Sequence, residues 1–583
     1  MGGEVRTDAA DLPVRQRLAL HGAALVVTAL VLAPAVRPGY LLRYDMVFVP
    51  RQPLRADLIA SADTLPRAVP QDLVVSLASL VVPGWLLQWI VLVAISWLAA
   101  VGAGRLVPAR RTLTRLVAAV GYAWTPFLAE RLLLGQWGLL LAYAALPWLV
   151  AAALRLREGR PGGLPRLVVA AAVSAIIPTG GVIALLTTVA LVIPVSWPTL
   201  TVLRRDLAGA GRGAGAVAVG AVLALNAPWV AAALATSAGG RSDPDGVAAF
   251  AARAENWAGP WVALAGTGGI WNAYTTPVSR ASALVPAATL ALLALGVAGF
   301  PVLRRRWPAG LAMRFGGLAA VAFLLGAAGT LPGGGPVLRW LVAEVPGAGL
   351  LRDGQKFLIP YAGLLVLCAA LGAERLAARL PRPGDRLVLV GLLLLPAAVL
   401  PDLAFGAAGR LHPVRYPDDW RVVATTVRDD PGPVLSLPLS MYRAYPWNRD
   451  TVVIDPLPRY LPVEVLTDDT LLVDDLVVAG ENARMARIRE LVAAGAPIAG
   501  TGVRWVVVQR GTGGDLPDGV LTGLRPVYEG PALSLYADPA AGEGASEAVT
   551  GQPGWWLALL GAALAAAVLL AAVGCLFRKP TAW

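Results

Sequence analysis

The chain has 583 residues, of which 57% are hydrophobic and only 15% are charged, and its mean hydropathy is +0.65. A chain this apolar has too little polar surface to cover a globule in water, so an ordinary soluble enzyme is excluded. It carries 49 basic and 37 acidic residues, a net charge of +12. Because the arginines lie beside apolar runs, this excess indicates a membrane protein and no nucleic-acid partner.

Twelve apolar runs predict an all-α polytopic membrane protein with about 12 transmembrane helices. A bilayer core requires about 20 mostly apolar residues per helix, and the short runs that meet at Glu130 and at Pro178 are marginal by this measure. The first run lacks the small-residue cleavage site of a secretory signal, so we expect an anchor. The runs cover residues 18–36, 73–101, 116–127, 134–154, 167–177, 182–197, 214–235, 283–303, 315–328, 357–372, 387–403 and 555–576.

The arginines predict the orientation of these helices. Loops that face the cytoplasm carry an excess of basic residues, and here basic clusters follow alternate runs. We therefore expect a multi-pass protein of the cell membrane with both termini cytoplasmic and with loop 37–72 outside. The clusters lie at residues 15–17, 105–115, 155–160, 204–205, 304–306 and 578–579.

A polar segment near the carboxyl end differs from the rest of the chain. From about residue 405 to 554 it holds 13 arginines and 19 acidic residues, which makes it acidic whereas the remainder is basic. Short apolar runs at 434–437 and 504–508 predict buried strands, and 485–493 has helical spacing. We predict a membrane domain at 1–404, a small extracytoplasmic α/β domain at 405–552, and a last membrane helix with a cytoplasmic tail at 553–583.

The first outer loop contains a candidate catalytic acid, Asp45. It lies within about ten residues of the first predicted helix, amid aromatic and apolar neighbours, where a carboxylate can act as a base toward a hydroxyl at the membrane surface. The alternative is a solvated aspartate beside an interfacial tyrosine. The following stretch has apolar residues at helical spacing and predicts an amphipathic helix on the membrane with solvated acids; the acids are Asp57, Asp63 and Asp72.

Arg352 and Lys356 form a second candidate site at the start of a predicted helix on the same side. Lys356 is one of only two lysines in the chain. A phosphate bound between these two cations and the free N–H groups of the helix would explain their position. The alternative is a pair of interfacial cations whose stems lie along apolar surface.

Glu130 and Arg131 lie in the turn between two short helices. Charges so close to apolar segments line a cavity or pair with each other, and a local ion pair is the simpler interpretation. No metal site is predicted, because the few residues that ligate zinc are far apart or in apolar runs; they are His21, His412, Cys368 and Cys575.

Five short motifs carry a resemblance to a known family. A helix, an outer loop with an aspartate, an amphipathic stretch, short paired helices and a terminal outer domain together resemble the GT-C membrane glycosyltransferases. The motifs are similar to those of the large actinobacterial α-(1→3) arabinofuranosyltransferases, which are much longer and carry added carbohydrate-binding modules. They read YDMVFVP at 44–50, AALPW at 144–148, LRDGQKF at 351–357, YPDDW at 416–420 and GVRWVVV at 502–508.

The resemblance implies transfer of a sugar of the arabinofuranose or mannose class from a polyprenyl-phosphate donor. The acceptor would be a cell-envelope glycan or lipid at the outer face of the bilayer. Asp45 would be the catalytic base, with Arg352 and Lys356 as donor-phosphate ligands. No cofactor is expected beyond the donor, and a divalent metal is left open. A flippase of lipid-linked envelope precursors and a non-catalytic glycan-binding scaffold are the alternatives.

Overall fold

Apolar helices form most of the fold. The computed structural model describes residues 12–60, 68–193, 212–236, 240–541 and 554–577; Asp63 and the basic clusters at 204–205 and 578–579 lie outside these ranges. Within them, eight helices are long and apolar enough to cross a membrane, and a bent pair of helices near residue 400 makes up to nine. The protein is therefore a multi-pass membrane protein, and the count of about twelve spans stays a prediction.

Each of the twelve predicted runs contains a helix, although the helices at 112–123, 163–174 and 178–192 are short. The helices before the polar segment are α1 (Val14–Leu32), α2 (Gln71–Ser79), α3 (Gly84–Leu106), α4 (Thr112–Ala123), α5 (Pro126–Leu133), α6 (Trp137–Arg157), α7 (Gly163–Ser174), α8 (Pro178–Val192), α9 (Arg212–Ala235), α10 (Gly246–Ala249), α11 (Gly259–Ala265), α12 (Val285–Arg306), α13 (Leu311–Ala327), α14 (Gly334–Glu344), α15 (Ile359–Ala377), α16 (Gly384–Val399) and α17 (Ala404–Ala408), a left-handed turn.

Small residues let α12 and α15 touch near the ends that carry arginines. A Cβ atom added to Gly299 would lie 1.8 Å from the carbonyl oxygen of Cys368, and one added to Gly372 would lie 2.0 Å from that of Leu295. Such close backbone approach is typical of helix pairs in membranes. Larger side chains at these two positions would force the helices apart.

The polar segment folds into the predicted kind of α/β structure. Its central sheet has the order β10-β11-β9-β3-β6, in which β3 runs parallel to β6 and β9. The predicted buried runs form β3 and β9, and the predicted helix is α20. The strands of the chain and its remaining helices are β1 (Tyr40–Leu41) in the first loop, β2 (Pro413–Val414), α18 (Asp418–Asp429), β3 (Val434–Leu437), β4 (Tyr442–Ala444), β5 (Val452–Ile454), α19 (Leu457–Tyr460), β6 (Val465–Leu466), β7 (Leu471–Val473), β8 (Leu476–Val478), α20 (Ala483–Ala493), β9 (Trp505–Gln509), β10 (Arg525–Glu529), β11 (Leu533–Ala537) and, after the polar segment, the final helix α21 (Trp555–Phe577).

The first loop fastens the α/β part to the helix bundle. Strand β1 pairs antiparallel with β2, with Tyr40 opposite Val414. Further along the loop, the Tyr44 N–H donates to the Val452 carbonyl at 2.7 Å, and the Ile454 N–H donates to the Tyr44 carbonyl at 2.9 Å. We call the end of the bundle on which β2–β11 pack the domain face.

The predicted amphipathic helix after the first loop is wrong at residues 54–60, where only a 3-10 turn, Ala56–Leu58, forms. Residues 61–67 lie outside the described ranges, and Asp72 lies in α2. Arg55 pairs with Asp57 at 2.6 Å and also donates to two backbone carbonyls near α19, so the stretch is bound to the α/β part. Asp72 is not solvated either, because it pairs with Arg459 at 3.1 Å.

The predicted orientation can be tested with reporters. We expect a reporter fused at Leu411, on the domain face, to be extracytoplasmic, and reporters at Arg305 and Arg205 to be cytoplasmic, because arginine-rich loops stay inside. Alkaline phosphatase and green fluorescent protein fusions measure this. A cytoplasmic Leu411 would contradict the orientation and the side assigned to the candidate site.

Candidate active site

A tight turn at residues 43–46 presents Asp45 at the domain face. The Met46 N–H donates to the Arg43 carbonyl at 2.9 Å, and the Arg43 N–H donates back to Met46 at 3.3 Å. Tyr44, in between, has a φ of +43°, a left-handed conformation that costs a non-glycine residue about 1–2 kcal/mol. Its two hydrogen bonds to β5 hold it in that conformation, so the α/β part helps to shape the 43–46 turn.

The loop after α5 contacts this turn through a glycine. Gly135 has a φ of +78°, and a Cβ atom there would lie 2.3 Å from the Met46 nitrogen and 2.4 Å from the Arg43 oxygen. Only glycine permits this approach. It brings the Leu134 carbonyl to the Asp45 N–H, at 3.1 Å.

Two donors from distant parts of the chain hold the half-buried Asp45 carboxylate. The Tyr442 hydroxyl, on β4, donates to Oδ1 at 2.5 Å, and Gln136 Nε2, just before α6, donates to Oδ2 at 3.1 Å. A carboxylate oxygen accepts more than one hydrogen bond, so both oxygens retain the capacity to take a proton. The arrangement fixes the orientation of the carboxylate.

Arg131 connects this carboxylate to a buried ion pair. Its Nη1 donates to Gln136 Oε1 at 2.8 Å, which turns the amide nitrogen of Gln136 toward Asp45. The guanidinium also holds both oxygens of Asp353, at 2.9 and 3.1 Å, and the two side chains are only 2% and 7% exposed. Burial alone would raise the pKa of Asp353, but Arg131 and Lys356 hold that pKa below its usual value.

The structure therefore joins three of the predicted site residues in one chain of contacts. It runs from Lys356, whose Nζ lies 3.5 Å from Asp353 Oδ2, through Arg131 and Gln136 to Asp45. Asp353, Gln136 and Tyr442 were missed from the sequence. Asp353 could have been found, because it lies inside the LRDGQKF motif. Nothing in the sequence marked Tyr442, which lies on a short strand.

Arg352 and Lys356 contact different acidic side chains. Arg352 Nη2 is 3.9 Å from Glu481 Oε1, and its guanidinium stacks over the Phe250 ring at 5.8 Å. Arg352 follows the 3-10 turn Ala348–Leu351, and Lys356 lies in the next 3-10 turn, Gly354–Leu358, so the two cations do not share one helix. Both have an acidic side chain near them.

Glu130 does not pair with Arg131, so the local ion pair expected from the sequence is wrong. Consecutive residues on a helix point to different sides. The Ile270 N–H donates to Glu130 Oε2 at 3.2 Å, and the neighbouring Glu255 pairs with Arg280 at 2.7 Å. Burial, and then Glu255, raise the pKa of Glu130 well above its usual value, which favours its protonated form.

An apolar cavity lies between α4, α12, α15 and α16. It takes in about 840 Å³ when the space open to the outside is included, and its wall includes Gly121, Leu292, Leu365 and Leu392. At the domain face it ends in polar groups, Thr125, Thr267 and Arg280. Thr125 caps the start of α5 by accepting from the Leu128 N–H at 3.2 Å, so one short helix separates this cavity from the Asp45 site.

Metal ligands do not gather in the ranges that the structure describes, where no cluster of three or more His, Cys, Asp or Glu side chains could hold an ion. His21 packs against Trp97, with ring centroids 5.4 Å apart. Cys368 is buried and Cys575 is exposed. The chemistry that the site offers is that of an oriented carboxylate and nearby guanidinium groups.

Comparison with known proteins gives a clear result for structures only. No family model and no curated protein sequence matches the chain. The structure of arabinofuranosyltransferase AftD from Mycobacteria matches with a TM-score of 0.54 and 18% identity, over 92% of this chain and 41% of that chain. Two classes of a mutant AftD match with TM-scores of 0.54 and 0.51, at 17% and 18% identity, over 92% of this chain and 42% of theirs.

These matches confirm the resemblance at the level of the fold. The chain spans less than half the length of the AftD structures that it matches, and the identity is low throughout. Likeness of fold at this identity does not by itself transfer an activity. The helix bundle and the α/β part together therefore share the fold of mycobacterial AftD.

Proposed function

We propose that this protein is a GT-C membrane glycosyltransferase. It moves a sugar of the arabinofuranose or mannose class from a polyprenyl-phosphate donor to an envelope glycan or lipid on the extracytoplasmic side. The observation that carries this proposal is the Asp45 carboxylate, oriented by Tyr442 and Gln136 where bundle and α/β part meet. In this proposal residues 1–404 form the membrane domain, residues 405–552 form the extracytoplasmic α/β domain, and residues 553–583 form the last membrane helix with a cytoplasmic tail. Both termini are cytoplasmic.

The reaction is a single displacement at the anomeric carbon. Asp45 takes the proton of the acceptor hydroxyl as its oxygen bonds to that carbon. The bond from carbon to phosphate oxygen breaks, and the lipid phosphate leaves with the electron pair. Tyr442 and Gln136 act as positioning residues, because they hold the base in line with the acceptor.

The cavity between α4, α12, α15 and α16 suits the lipid chain of the donor. Its wall is apolar over most of its length, and each buried CH₂ of a chain contributes about 0.8 kcal/mol. The polar end at Arg280 and Thr267 lies on the domain face, next to α5. A chain lying in this cavity therefore has its head group on the same face as Asp45.

Arg352 and Lys356 are proposed to bind the donor phosphate. Lys356 is 28% exposed, and its contact with Asp353, at 3.5 Å, is long for an ion pair. Asp353 keeps its bidentate partner Arg131 when the ammonium turns away. Lys356 can therefore turn toward an anion without leaving a buried charge unpaired.

A Lys356→Ala variant should weaken donor use far more than it affects folding. Loss of one charge-assisted contact is expected to raise the donor KM about tenfold, whereas the unfolding temperature should stay close to that of the wild type. Steady-state rates at varied donor concentration measure the first effect. Arg421→Ala, an exposed outer-domain change, is the control; unchanged donor dependence in Lys356→Ala would remove it from the phosphate site.

The proposed activity is tested by incubating membranes that contain the protein with radiolabelled polyprenyl-phosphate sugars. Transfer of label to an envelope acceptor supports the proposal. A protein that binds the glycan but never transfers label would be a scaffold. Movement of label across the bilayer without transfer would indicate a flippase.

A further inference from the structure

Two half-buried arginines lie on the 43–46 turn and in the segment just before β2. Arg43 begins the turn, and Arg410 lies in the segment between α17 and β2. The antiparallel pairing of Leu41 with Pro413 brings these two segments side by side. His412 extends from the same segment, 3.5 Å from the Thr451 hydroxyl.

Both guanidinium groups have neutral partners. Arg43 Nε donates to the Leu133 carbonyl at 2.9 Å, and Arg410 donates to the carbonyls of Tyr274 and Thr276. Among the described residues, neither arginine takes part in an ion pair. This differs from Arg352 and Lys356, which both have acidic neighbours.

The positive charge of this cluster is not balanced locally. Burial, with the neighbouring Arg410 as the next cause, lowers the pKa of Arg43 to about 10. Burial also lowers the pKa of Arg410, whereas Tyr44 and Asp402 raise it. Asp402 in turn accepts the Ser279 N–H at 2.7 Å. Two like charges in a partly dry site repel each other, and an anion between them removes that repulsion.

His412 lies beside the two arginines and can serve as a hydrogen-bond partner for such an anion. Burial lowers its pKa, a hydrogen bond with the Asn448 backbone acts the other way, and Arg449 and Arg43 lower it further; the net lowering favours the neutral ring. A neutral imidazole both donates and accepts hydrogen bonds. It can therefore donate to an oxyanion held by the two arginines.

We propose that Arg43 and Arg410, with His412 beside them, bind a phosphate group next to the 43–46 turn. Guanidinium groups match phosphate oxygens in geometry and keep their charge when half buried. The inference rests on the proposed function, in which a lipid phosphate leaves: cations that no carboxylate neutralises stabilise the charge of that phosphate. The phosphate can be that of a lipid headgroup or a free phosphate ion.

The test uses the purified full-length protein and its unfolding temperature as a function of ligand concentration, which yields an apparent Kd. The ligands are inorganic phosphate, farnesyl phosphate and, as an uncharged control, farnesol, all at constant ionic strength. We expect Arg410→Gln and Arg43→Gln each to raise the Kd for farnesyl phosphate at least about tenfold. Arg421→Gln, whose side chain is 77% exposed, should bind like the wild type.

The arms of the experiment identify the source of the phosphate. Binding of inorganic phosphate with the same dependence on Arg410 indicates a site for free phosphate, and binding of farnesyl phosphate alone indicates a lipid headgroup. Because Arg43 also holds the Leu133 carbonyl, Arg43→Lys, which keeps the charge, checks that turn damage is not the cause. A Kd that is unchanged in Arg410→Gln, or farnesol binding as tightly as farnesyl phosphate, overturns the proposal.

This result is separable from the proposed transferase activity, because binding needs no transfer. An Asp45→Asn protein should bind farnesyl phosphate at least as tightly as the wild type. If the wild type transfers no sugar while its phosphate affinity depends on Arg43 and Arg410, the transferase proposal fails and this site stands. If Asp45→Asn alone abolishes transfer and the arginine variants bind normally, this site fails and the transferase proposal stands.

Discussion

An Asp45→Asn variant is expected to transfer sugar at least about a hundredfold more slowly than the wild type, because loss of a general base costs about 10²–10⁴ in rate. The amide keeps the shape of the side chain and both of its contacts. Its oxygen can accept from Gln136, and its nitrogen can donate to the Tyr442 hydroxyl, which then acts as acceptor. The protein should insert and purify normally. Initial rates of label transfer in membranes, at matched protein levels, measure the effect.

Asp57→Asn is the matched control for this change. Asp57 pairs with Arg55 at 2.6 Å, is 20% exposed, and takes no part in the Tyr442 and Gln136 contacts of Asp45. Its neutralisation should change the rate only slightly. Full activity in Asp45→Asn together with an inactive Asp57→Asn would show that the base is assigned wrongly. Full activity in both variants would place the active site elsewhere.

The second large effect is expected from Asp353→Asn, which leaves the buried Arg131 without a full counter-charge. Removing one partner of a buried pair costs about 3–5 kcal/mol in the free energy of unfolding. The same change should slow transfer, because Arg131 also orients Gln136, which holds Asp45. Thermal unfolding of the purified protein gives the stability, and the label assay gives the rate.

Two comparisons separate stability from positioning. The double variant Arg131→Met, Asp353→Leu removes both charges and should recover most of the stability, but not the rate, because Gln136 has then lost its donor. Asp418→Asn breaks the pair of Asp418, which is 91% exposed, with Arg421 and should change stability by less than about 1 kcal/mol. A double variant with wild-type transfer would restrict the Arg131–Asp353 pair to a structural role.

Much of the helix bundle was predictable because each span is a local property of the sequence. A helix that crosses a bilayer satisfies its own backbone hydrogen bonds and needs a continuous apolar run. Helices accordingly occur in all twelve runs, and the strands at 434–437 and 505–509 lie where short apolar runs predicted them. The prediction of an amphipathic helix failed at residues 54–60 because Arg55 binds carbonyl groups near α19. The spacing of apolar residues carries no information about such a long-range contact.

In the candidate site, too, some residues could be predicted from the sequence and others could not. Asp45 could be named from its loop, and Lys356 from its rarity, since both signals are local. The partners of Asp45 could not, because Tyr442 lies 397 residues away along the chain and Gln136 lies 91 away. Arg131 bonds to Asp353, 222 residues away, although Glu130 is its neighbour in sequence. The sequence by itself determined which segments form apolar helices and singled out Asp45; tertiary packing decided which charges meet, because partners in a buried network are chosen by proximity in space.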